Sequence, residues 1–394
     1  ALYSSVFGDT FSDVMLIFAA GFLASIALNF GPPEYTLLTG FSLLCISSLT
    51  GNSVWKGLFS VFLGMIIGMI GLDPITATPR LTFEYLELEE GIGLIPMLIG
   101  TLAVSEALRQ MEQPVKKLAS STLVFSKHKI DNVVTFLEFK STLPTIIKSS
   151  GLGTLIGAMP GLGSTIAAFL AYGEAKRSSK KPENFGKGSL EGIAASESAN
   201  NAVSGSNMIP LLAFGIPGDI AAALIMGAFL IQGITLGPVV FQDNPVEIYA
   251  IFAALIVANL FNLFLGHGLI KMCKHVVTVP KRLLFPAVLV IASAGAYALR
   301  GSLFDIQLVF CFGVLGYIMM KCDIPTVPML IGFILIPIFE ENLRVTLLLG
   351  ASHDLNVAFI FTRPAFVILF LIMTFTSLFI LKRRKLRKLE KINN

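Results

Sequence analysis

The sequence predicts an all-α integral membrane protein: a polytopic helical bundle with inverted-topology repeats and broken or re-entrant helices. Three observations predict it. Of 394 residues, 54% are hydrophobic and 14% charged, with a mean hydropathy of +0.79, whereas soluble domains carry roughly a quarter charged residues. The apolar windows are parted by Gly, Pro and charge and show no strict alternation, which favours helices over barrel strands. The string PMLIG occurs twice, at Pro96–Gly100 and Pro328–Gly332.

A spanning helix needs about 20 mostly apolar residues. Windows near that length run over Asp13–Phe30, Tyr35–Leu49, Val54–Leu72, Gly91–Leu108, Ile248–Leu269, Leu283–Leu299, Leu303–Met320, Pro325–Phe339 and Ala358–Leu381. Basic residues gather at Lys116, Lys117, Lys127 and Lys129, then at Lys176, Arg177, Lys180 and Lys181. They gather again at Lys271, Lys274, Lys281 and Arg282, and in the tail KRRKLRKLEK. By the positive-inside rule these mark the cytoplasmic face and a cytoplasmic C-terminus. Juxtamembrane Lys and Arg set orientation, so no nucleic-acid partner is read from them. The four cysteines and four histidines are scattered, which excludes a disulfide framework, a metal site and a redox centre.

Each PMLIG copy is followed by Glu-x-Leu-Arg, at Glu106–Arg109 and Glu341–Arg344, pairs that read as helix-end orientation and capping features. Each is preceded by an apolar helix closing on Asp73 or Asp323. Charge placement makes the two copies antiparallel, the architecture of secondary transporters with a site near the midplane. The chain begins with Ala1 and not Met, and its first residues do not read as the charged start and small-residue cleavage site of a signal peptide. Repeat pairing implies a missing N-terminal portion of roughly 80 to 110 residues; an asymmetric protein is the other reading. The division expected is 1–109, the remainder of the first repeat; 110–148, a basic amphipathic linker on the cytoplasmic surface; and 149–350, the second repeat with the substrate and ion motifs. A final transmembrane helix at 351–381 and a basic cytoplasmic tail at 382–394 complete it. LELEEG at Leu86–Gly91 reads as an acidic external loop, either solvated or touching a partner.

Lys148–Tyr172 centres MPGLG in an apolar stretch flanked by basic residues. Gly costs about 1 kcal/mol and Pro about 3 in a helix interior, so a helix–break–helix hairpin entering and leaving on the cytoplasmic side fits; a kinked ordinary span is the alternative. Gly215, Pro217 and Gly218 split a second element, and Asp219 follows as a helix N-terminal charge or a cation ligand. Between the breaks lies SESANNAVSGSN, Ser196–Asn207. As a helix it sets Glu197, Asn200, Asn201 and Ser204 on one face. In hydrocarbon such groups need a ligand, water or another helix. Hydroxyls, amides and helix N-termini without Arg or Lys suit an anion, and a carboxylate with unwound carbonyls suits a co-transported cation, Na+ or H+.

The stretch Gly157–Gly218 resembles the signature region of the large membrane subunit of the tripartite tricarboxylate transporters. The likeness runs through Pro-Gly-x-Gly, Tyr172, Phe185–Gly188, Glu197–Asn201 and Pro210–Gly218, with FGPPEY (Phe30–Tyr35) and GLDP (Gly71–Pro74) as further landmarks. The resemblance implies cation-coupled uptake of di- or tricarboxylates such as citrate across the bacterial cytoplasmic (inner) membrane. It implies a small four-helix-type membrane subunit and an extracytoplasmic solute-binding protein as partners, and no cofactor. It sets the substrate motif on Pro160, Gly161, Gly163, Asn200, Asn201, Pro217 and Gly218. With Ser164 and Ser204 these are the expected substrate-binding residues, and Glu197 and Asp219 the expected ion-binding ones. Two features depart from the family pattern: the N-terminal Pro-Gly-x-Gly copy is absent, and the Asp219 position more usually carries a small polar residue.

Rival classes fit less well. A channel would show charged rings or an open filter, and an intramembrane enzyme needs an acid–base or nucleophile pairing that the sequence does not offer. A stand-alone organic-anion carrier or anion channel without a binding protein is the alternative to tripartite uptake.

Overall fold

The computed structural model describes residues 1–49, 53–73, 76–112, 134–159, 163–276, 281–352, 357–371 and 373–374. Helix dominates it. α1 (Leu2–Ala27), α2 (Pro32–Leu49) and α3 (Val54–Gly68) lead to a short antiparallel pair, β1 (Gly71–Leu72) and β2 (Pro79–Arg80), with Gly71 opposite Arg80. After α4 (Leu86–Glu89) comes a helix in three parts: α5 (Leu94–Leu98), a π-helical turn Ile99–Val104, and α6 (Ser105–Met111). α7 (Phe136–Gly157), α8 (Gly163–Ser178), α9 (Leu190–Phe214), α10 (Ile220–Ile231) and the short α11 (Val240–Asp243) follow. α12 (Pro245–Val276), α13 (Lys281–Arg300), α14 (Leu303–Lys321) and α15 (Val327–Ser352) end in a 3-10 segment, Val357–Thr362. Among the described residues, Leu2–Ala27, Pro245–Gly266 and Leu303–Lys321 are long and apolar enough to cross a membrane.

Small residues set the helix contacts. α1 packs along α9 because Gly8 has no side chain: a Cβ there would lie 2.3 Å from the Ser198 carbonyl oxygen. α7 packs on another side of α9 through Gly153 and Gly157, whose Cβ positions fall 2.4 Å from the Ala199 carbonyl and 2.0 Å from Ser206 Oγ. The order of these contacts makes α1, α7 and α9 parallel. α8 returns against both α7 and α9, closing an apolar cluster of Ile156, Ala167, Ala171, Ala199 and Val203. The break expected at MPGLG thus separates two helices that fold back on each other, and Lys148–Glu174, at 2.8 Å, ties their open ends. α7 crosses the boundary at residue 148 drawn from composition. Thr135 opens α7 with a capping box, and the Thr135 backbone N–H and hydroxyl hold the Glu138 carboxyl below its ordinary range.

The PMLIG copies meet. Met97, Leu98, Met329 and Leu330 share one buried cluster with Leu308 and Phe312. Each copy also packs on the other copy's preceding helix. Gly332 closes on α3, its Cβ position 2.5 Å from the Val61 carbonyl oxygen, and Gly100 closes on α14, 2.5 Å from the Val309 carbonyl oxygen. α3 and α15 run parallel, from Ser60 Oγ donating to the Pro325 carbonyl (2.5 Å) to Arg344 Nη2 donating to Asp73 Oδ2 (2.8 Å).

The expected Glu106–Arg109 pair forms at 2.8 Å. The expected Glu341–Arg344 pair is replaced. Arg344 binds Asp73 and, at 2.5 Å one helical turn away, Glu340, which also receives Arg80 at 2.7 Å. Arg344 stands four residues from Glu340, and the end of α3 brings Asp73 to that same arginine. FGPPEY has a structural role as well: Glu34, fully buried, accepts the Gly31 N–H (2.8 Å) and Arg363 Nε (2.6 Å), tying the residues after α15 to α2. The greater part of the linker, 113–133, and the tail 382–394 lie outside the described residues.

Candidate functional site

Two elements converge on the C-terminal third of α9, the end of α7 and the turn that follows α9 itself. α7 ends at Gly157. The cap of α9 is Gly215, left-handed at φ 69°, whose N–H bonds the Leu211 carbonyl and turns the chain into Ile216-Pro217-Gly218. That turn brings Gly218 back onto the helix: a Cβ there would stand 3.0 Å from Asn207 Oδ1 and 3.5 Å from the Gly157 carbonyl oxygen. Gly157, Asn207, Pro217 and Gly218 are all buried. The two sequence motifs thus meet at one junction.

The predicted residues distribute as follows. Pro160 and Gly161 lie outside the described residues. Gly163 begins α8 with φ +70° and open space around its Cβ position, and Ser164, half-buried, occupies the first turn. On α9, Glu197 and Asn201 are half-buried, while Asn200 and Ser204 are exposed. Asn201 Nδ2 donates to the Glu197 carbonyl at 2.9 Å, and Ser5 of α1 donates to Glu197 Oε2 at 3.1 Å. Asp219 serves as the N-cap of α10, its Oδ1 accepting the Ala222 N–H at 2.9 Å. A cation there would have the other carboxylate oxygen.

Several polar groups at this centre escaped sequence reasoning. Asn207, the last residue of the quoted polar run, stands seven residues beyond Asn200 and three beyond Ser204, and so continues their face at its buried end. Asp9 and Asp13, one turn apart on α1, sit against α9 and α12: Asp9 lies beside Ser204, and Asp13 Oδ2 accepts from Asn259 Nδ2 at 2.7 Å. Gly205 makes room for Asp13, since a Cβ there would lie 2.3 Å from Oδ1. An aspartate in an apolar helix is the signal that could have found them. On α7 the hydroxyls of Ser150 and Thr154 are buried without a hydrogen-bond partner among the described residues, a condition that water or a ligand would relieve.

Comparison with known proteins gives the family. The model of the tripartite tricarboxylate transporter TctA family matches residues 1–331. The chain belongs to that family. TctA-family proteins are large subunits of tripartite transporters, which makes this a membrane transport protein of a family that works with other subunits. Among its relatives is an uncharacterized 52.8 kDa protein in the TAR-I ttuC' 3' region of Agrobacterium vitis, 36% identical over 350 residues, covering 89% of this chain and 69% of that one. Another, from the TAR-II ttuC' 3' region of the same organism, is 41% identical over 198 residues, covering 50% of this chain and 82% of the relative. No solved structure matches this TctA-family chain.

Proposed function

We propose that the chain is the large permease subunit of a binding-protein-dependent transporter that takes up di- or tricarboxylates, citrate-like, with Na+ or H+. A small membrane subunit and an extracytoplasmic solute-binding protein complete it in the bacterial inner membrane. The observation that carries the reading is the junction of Gly157, Asn207 and Gly218, where the α7–α8 hairpin meets the break between α9 and α10.

The chemistry of that junction suits an anion without a formal positive charge. Asp219 caps the N-terminus of α10, and α8, beginning at Gly163, supplies a second helix N-terminus, an end that attracts anions. Asn200, Asn201, Ser164 and Ser204 add carboxamide and hydroxyl donors. The carboxylates of Asp9, Asp13 and Glu197 supply negative charge for the coupled cation along the α1–α9 seam. Burying them without compensation is costly in hydrocarbon.

Topology supports the same reading. Lys148 and Glu174 close the hairpin at the basic side, and Ser149–Gly157 rises about 14 Å beyond them, near half of a bilayer core about 30 Å thick; this fits a re-entrant hairpin. Lys56 donates to the Cys322 carbonyl (2.6 Å) and Lys321 to Glu112 (2.6 Å) at that side, while Asp73, Arg80, Arg344, Arg300 and Arg363 cluster opposite. α3 lies parallel to α15, and the π-helical turn and α6 lie parallel to α14, a pairing that supports reading the PMLIG copies as inverted repeats.

Reconstituted complex in proteoliposomes, offered a panel of labelled carboxylates with and without a sodium or proton gradient, tests the proposal. Gradient-dependent citrate uptake that Asn201→Ala abolishes, with membrane insertion intact, is expected. Unchanged uptake by the variant would remove the site assignment.

A further inference from the structure

Between β2 and α5 the chain builds an acidic–aromatic knuckle at the end of the molecule opposite Lys56 and Lys321. Its root is fixed. Arg80, at the end of β2, is held by Glu340 at 2.7 Å and by Asp73 at 3.6 Å, and Gly71 lies against Gly91, which closes the neck. From this root three non-glycine residues within four positions adopt left-handed backbone: Leu81 at φ 54°, Phe83 at φ 50° and Glu84 at φ 66°. Thr82 between them is buried, and its carbonyl accepts the Tyr85 N–H at 2.9 Å.

The strained backbone turns apolar side chains outward. Phe83 is 74% exposed, Tyr85 64% and Leu86 75%. Glu84 and Glu87 stand exposed among them with no ion-pair partner among the described residues, and Glu90, also exposed, is 4.0 Å from Arg300, whose close partner is Asp305. No lysine or arginine occurs in Leu81–Gly91. Backbone strain of this kind persists only where the surroundings impose it, and it collects at binding surfaces.

The geometry points to this knuckle, Leu81–Glu90, as the docking surface for a soluble protein presenting lysine and arginine around an apolar recess. This rests on the proposed function, in which a soluble binding protein delivers solute to the outer face. Charge decides the occupant. Aromatic residues at headgroup level are normal in membrane proteins, but carboxylates between them are repelled by an anionic leaflet, whereas a basic protein face is attracted and steered by them. Size agrees with a transient visitor: two aromatics and a leucine offer on the order of 400 Å² a side, in the range of weak encounter interfaces. A delivery protein must leave after each cycle.

The test uses the complete transporter in proteoliposomes, with the purified soluble binding protein that restores citrate uptake to the wild-type complex. The double variant Glu84→Lys/Glu87→Lys is expected to raise the half-saturating binding-protein concentration about tenfold or more at low salt, with the defect shrinking as salt rises. The maximal rate should be retained. A photo-crosslinking phenylalanine analogue at Tyr85 should label the binding protein. Half-saturation equal to wild type, or labelling of lipid or of a second copy alone, overturns the docking surface. If wild-type uptake itself ignores the binding protein, the delivery reading fails together with it; if wild type depends on the protein and the double variant matches it, only the knuckle assignment fails.

Discussion

Gly218 lies against Asn207 across the break between α9 and α10: a Cβ on Gly218 would sit 3.0 Å from Asn207 Oδ1, so a methyl group there would make the carboxamide give by a few tenths of an ångström. The contact joins the Gly-Pro element to the polar helix and, through the Gly157 carbonyl at 3.5 Å, to the hairpin. Consequences for substitution follow directly.

Gly157→Ala is expected to push α7 off α9. Its Cβ would fall 2.0 Å from Ser206 Oγ and 2.9 Å from the Val203 Cα, and the backbone contact cannot rotate away. Overpacking of this sort costs about 1–3 kcal/mol, read as a lowered Tm in detergent with loss of uptake. Gly151→Ala, on the same helix with nothing within 4 Å of its Cβ position, should leave Tm equal or higher. Equal losses in both variants would mean that packing against α9 is not what these glycines serve.

Asn200→Ala and Asn201→Ala remove carboxamides proposed to bind a charged ligand. A hydrogen bond to a charged group is worth about 1.5–3 kcal/mol, so citrate affinity should drop by roughly 10–150-fold in each, measured by calorimetry on the purified complex. Expression and Tm should hold.

Asp13→Asn tests the α1 carboxylates. The Asn259 contact at 2.7 Å involves one oxygen, so an amide can replace it in shape while removing the charge. Coupled systems change ligand affinity by about 5–150-fold; in this variant the cation's effect on citrate binding should vanish, while citrate binding without cation persists. A retained cation effect would assign coupling elsewhere.

Glu34→Gln addresses the tie between α2 and the residues after α15. The fully buried carboxylate accepts two hydrogen bonds, from Gly31 N and Arg363 Nε; the carboxamide keeps one acceptor oxygen, sets an NH2 against the other donor and removes the charge facing the guanidinium, at a cost of about 1–3 kcal/mol. Hydrogen exchange should accelerate over Val357–Thr362 and not over α9.

Composition and periodicity were enough for a helical membrane protein, because the cost of unpaired backbone groups in lipid leaves helices as the natural form of long apolar windows. The hairpin break at MPGLG and the turn at Gly215–Gly218 were legible too, since Gly and Pro act on their own backbone. The partner of Arg344 was not. Glu341 is its neighbour in the motif, but Asp73, 271 positions away, reaches it through α3, and no local rule reports such a meeting. Asp9 and Asp13 were hidden for the same reason: alone they are two acids in a greasy helix, and only Ser204, Gly205 and Asn259, from α9 and α12, make them part of one polar seam. Local chemistry therefore determined where this chain is helical and where it breaks. Which broken ends meet, and which carboxylates face them, was decided by close packing at Gly8, Gly153, Gly157 and Gly205, because the approach of two helices depends on surfaces far apart in the chain.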